Sequence, residues 1–195
     1  MNLKKVDGSP FRAVLFLTLA VTFGCAPPPN SRSPAPVVRP APSPEVRLRI
    51  ANEKDLAELV TAQRGRVVLV DCWATWCGPC VKQFPHTVEL HRRLADRGLT
   101  VISLSCDDPD NQEAVLKFLK RQQATFDNLL SRYGASEEGF NAFNIKTGAL
   151  PYYLLYDRQG KLREDLGSGT RIEGLKPEEL DKAVEQLLAE PAPQD

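Results

Sequence analysis

The stretch VVLVDCWATWCGPC, from Val67 to Cys80, decides how the rest of this chain is read. Val67 to Val70 is an unbroken apolar run of good β-formers, the pattern of a parallel strand covered on both faces. Asp71 and two tryptophans, Trp73 and Trp76, separate that run from Cys77-Gly78-Pro79-Cys80. Two thiols at this spacing can close a small disulfide ring if a helix starts at the first of them. The residues after Cys80 read as a helix, so Cys77 is expected at a strand-to-helix junction. Unpaired N–H groups at a helix start favour a thiolate and lower a thiol pKa from ~8.5 to about 7 or below.

The other cysteines are Cys25, Cys72 and Cys106, an odd and sparse set. It does not read as a disulfide framework but as one redox pair plus three thiols with separate explanations. Haem attachment would need histidine directly after the second cysteine, and Val81 stands there. A structural zinc site would need two more ligands at similar spacing. Cys72 and Cys106 are isolated, and His86 and His91 fall on one helix, so no metal is expected. Cys72 and Cys106 sit near the ends of neighbouring strands. They are expected to be buried thiols acting as small apolar side chains, the alternative being a second disulfide or auxiliary redox pair. The chain has 195 residues, with 25 basic and 25 acidic side chains and zero formal net charge. No basic stripe interleaved with aromatics points to a nucleic-acid partner.

Residues 1–25 read as an export signal. Lys4, Lys5 and Arg12 precede an apolar run, Ala13 to Phe23, too short to span a bilayer comfortably. The run ends at Gly24-Cys25, which resembles a bacterial lipobox with Cys25 as the lipidated residue. Thr22 and Phe23 depart from that motif, leaving an ordinary cleaved signal or an uncleaved anchor as alternatives. Each reading places the domain outside the cytoplasm, in the periplasm or cell envelope. Residues 26–45 carry half of the chain's 16 prolines and read as an extended linker. The folded domain is expected over residues 46–190, with 191–195 a short tail.

Within the domain, Val46 to Ile50 alternates and is a candidate edge strand. Asn52 can cap a helix from Glu53 to Gln63. The helix after Cys80 should run to about Asp96, with Pro85 inside it and His86 and His91 facing solvent. Leu99 to Leu104 reads as a strand. Asp107 to Asp110 reads as a loop whose aspartates cap the next helix, Asn111 to Arg121. Ala124 to Gly148 is the least readable stretch, apart from a helical Ser136 to Phe143. Tyr152 to Tyr156 and Lys161 to Leu166 read as a hairpin turning at Asp157 to Gly160. Pro177 opens the last helix.

Asp71, Trp73, Ala74, Trp76, Cys77, Gly78, Pro79 and Cys80 resemble the signature of the thioredoxin-like superfamily. More closely they resemble its TlpA-like and ResA-like extracytoplasmic thiol-disulfide oxidoreductases. The resemblance covers about Val46 to Leu188. It implies an α/β fold, a thioredoxin-like three-layer sandwich with a central mixed sheet flanked by helices, in the order β, α, β, α, β, α, then a β-hairpin and a closing α. It also implies a cis peptide bond before Pro151, within Gly148-Ala149-Leu150-Pro151, facing the active site.

The chemistry that follows from the resemblance is protein-disulfide reduction with no cofactor. Cys77 would be the nucleophile, Cys80 the resolving thiol and Cys77–Cys80 the redox disulfide. Asp71 would be the buried acid that accepts the Cys80 proton. Trp76, Gly78, Pro79, Leu150 and Pro151 would bind substrate, with the Leu150 main chain pairing with an extended segment. Protein disulfides are the expected partners. A transmembrane electron donor is implied by the family, and attachment to the membrane would run through the N-terminal anchor. Three other readings differ. One is a dedicated cytochrome c maturation thioredoxin. The second is a non-enzymatic partner-binding module. The third is a thiol peroxidase, which a CGPC pair fits poorly.

Overall fold

The computed structural model describes residues 45–167 and 176–191. The expected signal segment with Cys25 and the linker, Glu45 excepted, lie outside the described residues, as does the tail beyond Pro191. Six strands form one mixed sheet: β1 (Arg49–Ala51), β2 (Val67–Trp73), β3 (Leu99–Ser105), β4 (Asp127–Ser131), β5 (Tyr152–Tyr156) and β6 (Leu162–Gly167). Their order across the sheet is β1-β4-β3-β2-β5-β6. The strands from β1 to β2 run parallel, and β5 and β6 are antiparallel additions. Among the described residues five α-helices accompany the sheet: α1 (Glu53–Ala62), α2 (Gly78–Leu94), α3 (Gln112–Gln122), α4 (Glu137–Ala142) and α5 (Pro177–Ala189).

The period-2 alternation of side chains divides the core in two. Val67, Leu69 and Trp73 of β2 pack with α2, α3 and α5 through Phe84, Leu90, Phe118 and Val184. Val68, Val70 and Cys72 pack on the opposite face with Leu56 and Val60 of α1 and with Phe143. Every residue of β2 is buried, as expected for a strand between neighbours and under helices on both faces. The alternation puts Asp71 on the α2 face and Cys72 on the other. One residue of register therefore separates the acid from the extra thiol by the thickness of the sheet.

Local signals act where they were read. The Asn52 side chain accepts from the Lys54 and Asp55 amides, and Asp55 reaches back to the Asn52 amide, so α1 starts on a capping box. Asp157 closes the β5–β6 turn by accepting from the Gln159 and Lys161 amides. Gly160 takes a φ of +78° there, a conformation that favours glycine.

Two expectations need correction. The expected order lacked a strand. β4 lies between β3 and β1, and β1 joins the sheet only through it. β4 is short of apolar residues because Asn128 is buried within it. That side chain donates to the carbonyls of Arg47, Ala124 and Phe126 and accepts from the Ser103 hydroxyl at 2.8 Å. A polar residue whose hydrogen bonds are all met inside can occupy a core strand position, and it erases the apolar pattern. β1 also starts later than expected, at Arg49.

The second correction concerns the histidines, which do not simply face solvent. The His86 Nε2 lies 2.7 Å from an Asp181 oxygen, and Arg93 reaches the other oxygen at 3.2 Å, tying α2 to α5. His91 stands edge-on to Phe126 at 5.2 Å, and its Nδ1 is buried without a partner. Burial, helped by Arg66 and Arg92, lowers its pKa.

Candidate active site

β2 delivers the site. Its last residue, Trp73, is fully buried against Phe84 and Phe118, with ring centroids 4.7 and 4.6 Å away. The chain then turns through Ala74-Thr75-Trp76, with the Cys77 amide donating to the Ala74 carbonyl at 3.1 Å. Cys77 is the N-cap of α2, in extended conformation, and its sulfur accepts from the Cys80 amide at 3.3 Å. Pro79 occupies the first turn, where a missing N–H costs no helical bond.

Cys77 and Cys80 form a disulfide. Cys77 is 6% exposed and Cys80 2%, so both are buried in the oxidised form and Cys77 is the less enclosed residue of the two. Trp76, at 61% exposure, stands beside them as an apolar surface in water, flanked by exposed Gly78 and Pro79. The Leu150–Pro151 bond is cis. Pro151 precedes β5, whose Tyr152 is in register with Cys72. The proline therefore sits where β2 gives way to the Cys77 turn. Leu150 is half-buried and touches both core clusters.

Asp71 is 2% exposed, on the α2 side of the sheet. Its Oδ2 accepts from the Thr87 hydroxyl at 2.6 Å, and its Oδ1 is buried without a partner. Thr87 is two helical turns beyond Cys80, on the same face of α2. Burial pushes the Asp71 pKa up from 3.8 to about 7, and the Thr87 bond acts in the opposite direction. Tyr153 is its cross-strand neighbour. Its phenol is pushed well above the usual value by burial first and by the Asp71 charge second. A carboxyl with one unpartnered oxygen and a pKa near neutrality can hold or release a proton on the side of the sheet that carries the disulfide.

Cys72 and Cys106 are free and buried, as expected for thiols used as small apolar side chains. Burial pushes Cys72 well above its usual value and Cys106 up to about 12. Neither carries thiolate at neutral pH, and neither pairs with the other.

One residue of this site was misjudged from the sequence. Asp108 caps the short turn at Pro109–Asn111, as expected of the aspartate run. Asp107 does something else: it is fully buried. It accepts from the Thr75 amide at 2.9 Å, from the Thr75 hydroxyl, and from the Ser105 hydroxyl at 2.7 Å. It thus fastens the loop that carries Trp76 and Cys77 to the end of β3. Asp107→Ala strands two part-buried donors on Thr75 and one buried donor on Ser105. At about 1–3 kcal/mol for each unmet buried group, partly relieved by water, the expected loss of stability is roughly 3 kcal/mol. Urea unfolding of the oxidised protein measures it, and a loss under about 1 kcal/mol would contradict the clamp.

A mixed sheet with helices on both faces, a Cys-Gly-Pro-Cys disulfide at the start of a helix and a cis-proline beside it define the thioredoxin-like class. Solved structures with this fold include a DsbE-type thiol:disulfide interchange protein described as putative, from Chlorobium tepidum. Its TM-score is 0.54 at 23% identity, over 67% of this chain and 85% of that one. Another is the thioredoxin domain of a Bacteroides vulgatus thiol-disulfide oxidoreductase, at a TM-score of 0.52 and 22% identity, over 65% of this chain and 82% of that one. The chain belongs to the AhpC/TSA family, whose model matches residues 37–165. Among its relatives is the thiol-disulfide oxidoreductase ResA of Geobacillus kaustophilus (strain HTA426), 27% identical over 124 residues. The match spans 64% of this chain and 64% of that relative. The ResA of Geobacillus thermodenitrificans (strain NG80-2) is 29% identical over 60% of this chain and 68% of that relative.

Proposed function

We propose that this chain is a thiol-disulfide oxidoreductase that reduces protein disulfides through the Cys77/Cys80 dithiol. The observation that carries the reading is the pairing of a disulfide at the α2 start with a buried carboxyl whose unpartnered oxygen lies on the same side of the sheet. In the reduced protein Cys77 is the thiolate, held by the Cys80 amide and the helix N-terminus. It attacks one sulfur of the substrate disulfide. The substrate S–S bond breaks, a mixed disulfide forms, and the departing substrate sulfur takes a proton from water. Cys80 then gives its proton to Asp71, directly or through one water, and attacks the Cys77 sulfur. The mixed disulfide breaks, and the second substrate sulfur leaves as a thiolate that takes the proton back from Asp71, directly or through water, and departs as a thiol. Two electrons and two protons have passed to the substrate, and the Cys77–Cys80 disulfide described above is the product state.

The cycle needs a dithiol donor to return the pair to the reduced form. A transmembrane electron donor fits a domain exported and held at the membrane through Cys25, which the sequence of residues 1–45 supports. No helix among the described residues is long and apolar enough to cross a membrane. Trp76 and Pro151 would frame the substrate segment. The test is the reduction potential of the pair in a glutathione or dithiothreitol buffer, with insulin reduction as the activity. A potential near about −270 mV with active insulin reduction is the expected result. A potential near about −120 mV would mark an oxidant, and the direction proposed here would be wrong.

A further inference from the structure

A groove of about 550 Å³ runs between the redox turn and α3. Thr75, just before Trp76, and Val81, just after Cys80, form one wall. Lys117 and Arg121, one turn apart on α3, form the other, and Phe118 lies between them as the floor. Among the described residues neither cation has an ion pair. Arg121 instead stands 5.9 Å over the Phe118 ring. From Ala74 to Val88 the chain carries no carboxylate and one exposed lysine, Lys82. Of the acids nearest in sequence, Asp110 and Glu113 are exposed at the start of α3, and among the described residues none pairs with Lys117 or Arg121. Asp107 is buried on Thr75, Asp108 caps the turn before α3, and Glu113 lies a turn before Lys117.

We propose that this groove docks an acidic stretch of polypeptide flanking the substrate disulfide. An extended segment lying in it would place its carboxylates between Lys117 and Arg121 and its apolar side chains on Phe118 and Val81. Its cysteine would then reach Cys77 from the Trp76 side. The groove thus selects among protein disulfides by the charge beside them. This inference rests on the thiol-disulfide exchange proposed above.

The experiment uses the full chain, reduced, and two synthetic peptides with the same disulfide loop. One carries Asp and Glu beside the loop and the other Asn and Gln. Second-order rates are followed by tryptophan fluorescence. Exchange with dithiothreitol is recorded for each protein as the measure of the redox turn itself, and the ratio of the two peptide rates cancels any change there. For the wild-type protein the acidic peptide should react about tenfold faster, the scale of electrostatic steering at one small site. The ratio should fall on adding salt. It should approach unity in a protein carrying Lys117→Gln and Arg121→Gln, and invert with Lys117→Glu and Arg121→Glu. A wild-type ratio at or below unity overturns the proposal. So does an acidic preference that survives the charge reversal. A wild-type protein that reacts with neither dithiothreitol nor either peptide overturns the exchange reading, and this inference with it.

Discussion

Cys77→Ser is expected to lower the rate of disulfide exchange by on the order of 10⁴-fold or more, the scale on which the loss of a catalytic nucleophile is read out. The sulfur at this position has what a thiolate needs. It caps α2, meets the Cys80 amide at 3.3 Å, and belongs to the less enclosed residue of the pair. A serine hydroxyl in the same place stays protonated at neutral pH and does not attack a disulfide. Cys80→Ser should behave differently. The first attack still occurs, but the mixed disulfide has no resolving thiol, so the Cys77–substrate adduct accumulates in equal amount with protein. Non-reducing gels and intact mass measure both. Full turnover by the Cys80→Ser protein, or a trapped adduct on the Cys77→Ser protein, would reverse the assigned roles. Because Cys72 and Cys106 are buried with raised pKa values, neither should substitute for the missing sulfur.

Asp71→Asn should slow resolution about 100-fold, at the lower end of what a positioned general base contributes. In the wild-type protein, breakdown of the mixed disulfide should rise with pH through about 7, as Asp71 ionises and becomes able to take the Cys80 proton. The Asn variant should lose that rise while formation of the mixed disulfide is little changed. The same substitution has an opposite effect on stability. The Asp71 pKa is raised on folding, so the native state holds its proton more tightly than the unfolded chain. Stability is greatest below about 3.8 and declines as pH climbs to about 7, by roughly 4 kcal/mol at 1.36 kcal/mol per unit. At pH 8 the Asn protein should therefore unfold at higher urea than wild type while turning over more slowly. Equal breakdown rates and equal pH profiles in the two proteins would remove Asp71 from the mechanism. Matching urea midpoints at pH 5 and pH 8 would remove the buried charge.

The elements that were legible share a feature: their signals are local. The apolar run of β2, the Asn52 capping box, the Asp157 turn, Pro177 at the start of α5 and the CxxC spacing involve residues within a few positions of one another. β4 failed for the opposite reason. Asn128 is bonded to Arg47, 81 residues away, so its burial could not be seen in its own neighbourhood. Asp107 read as one capping aspartate among several, yet its partner Thr75 is 32 residues distant. His86 read as a surface helix residue, and the Asp181 that holds it is 95 residues away.

The sequence by itself determined the strand–turn–helix unit that carries Cys77 and Cys80, the proline beside it and the acid before it. Periodicity, capping and thiol spacing are written along the chain. The tertiary structure alone decided which face Asp71 occupies, that one of its oxygens is left open, that Cys72 is shut away across the sheet, and that Asp107 clamps the redox loop. Each of these depends on what a side chain meets after the sheet has assembled. Desolvation and hydrogen-bond satisfaction are properties of that assembled environment, and these set the Asp71 proton affinity on which the proposed chemistry turns.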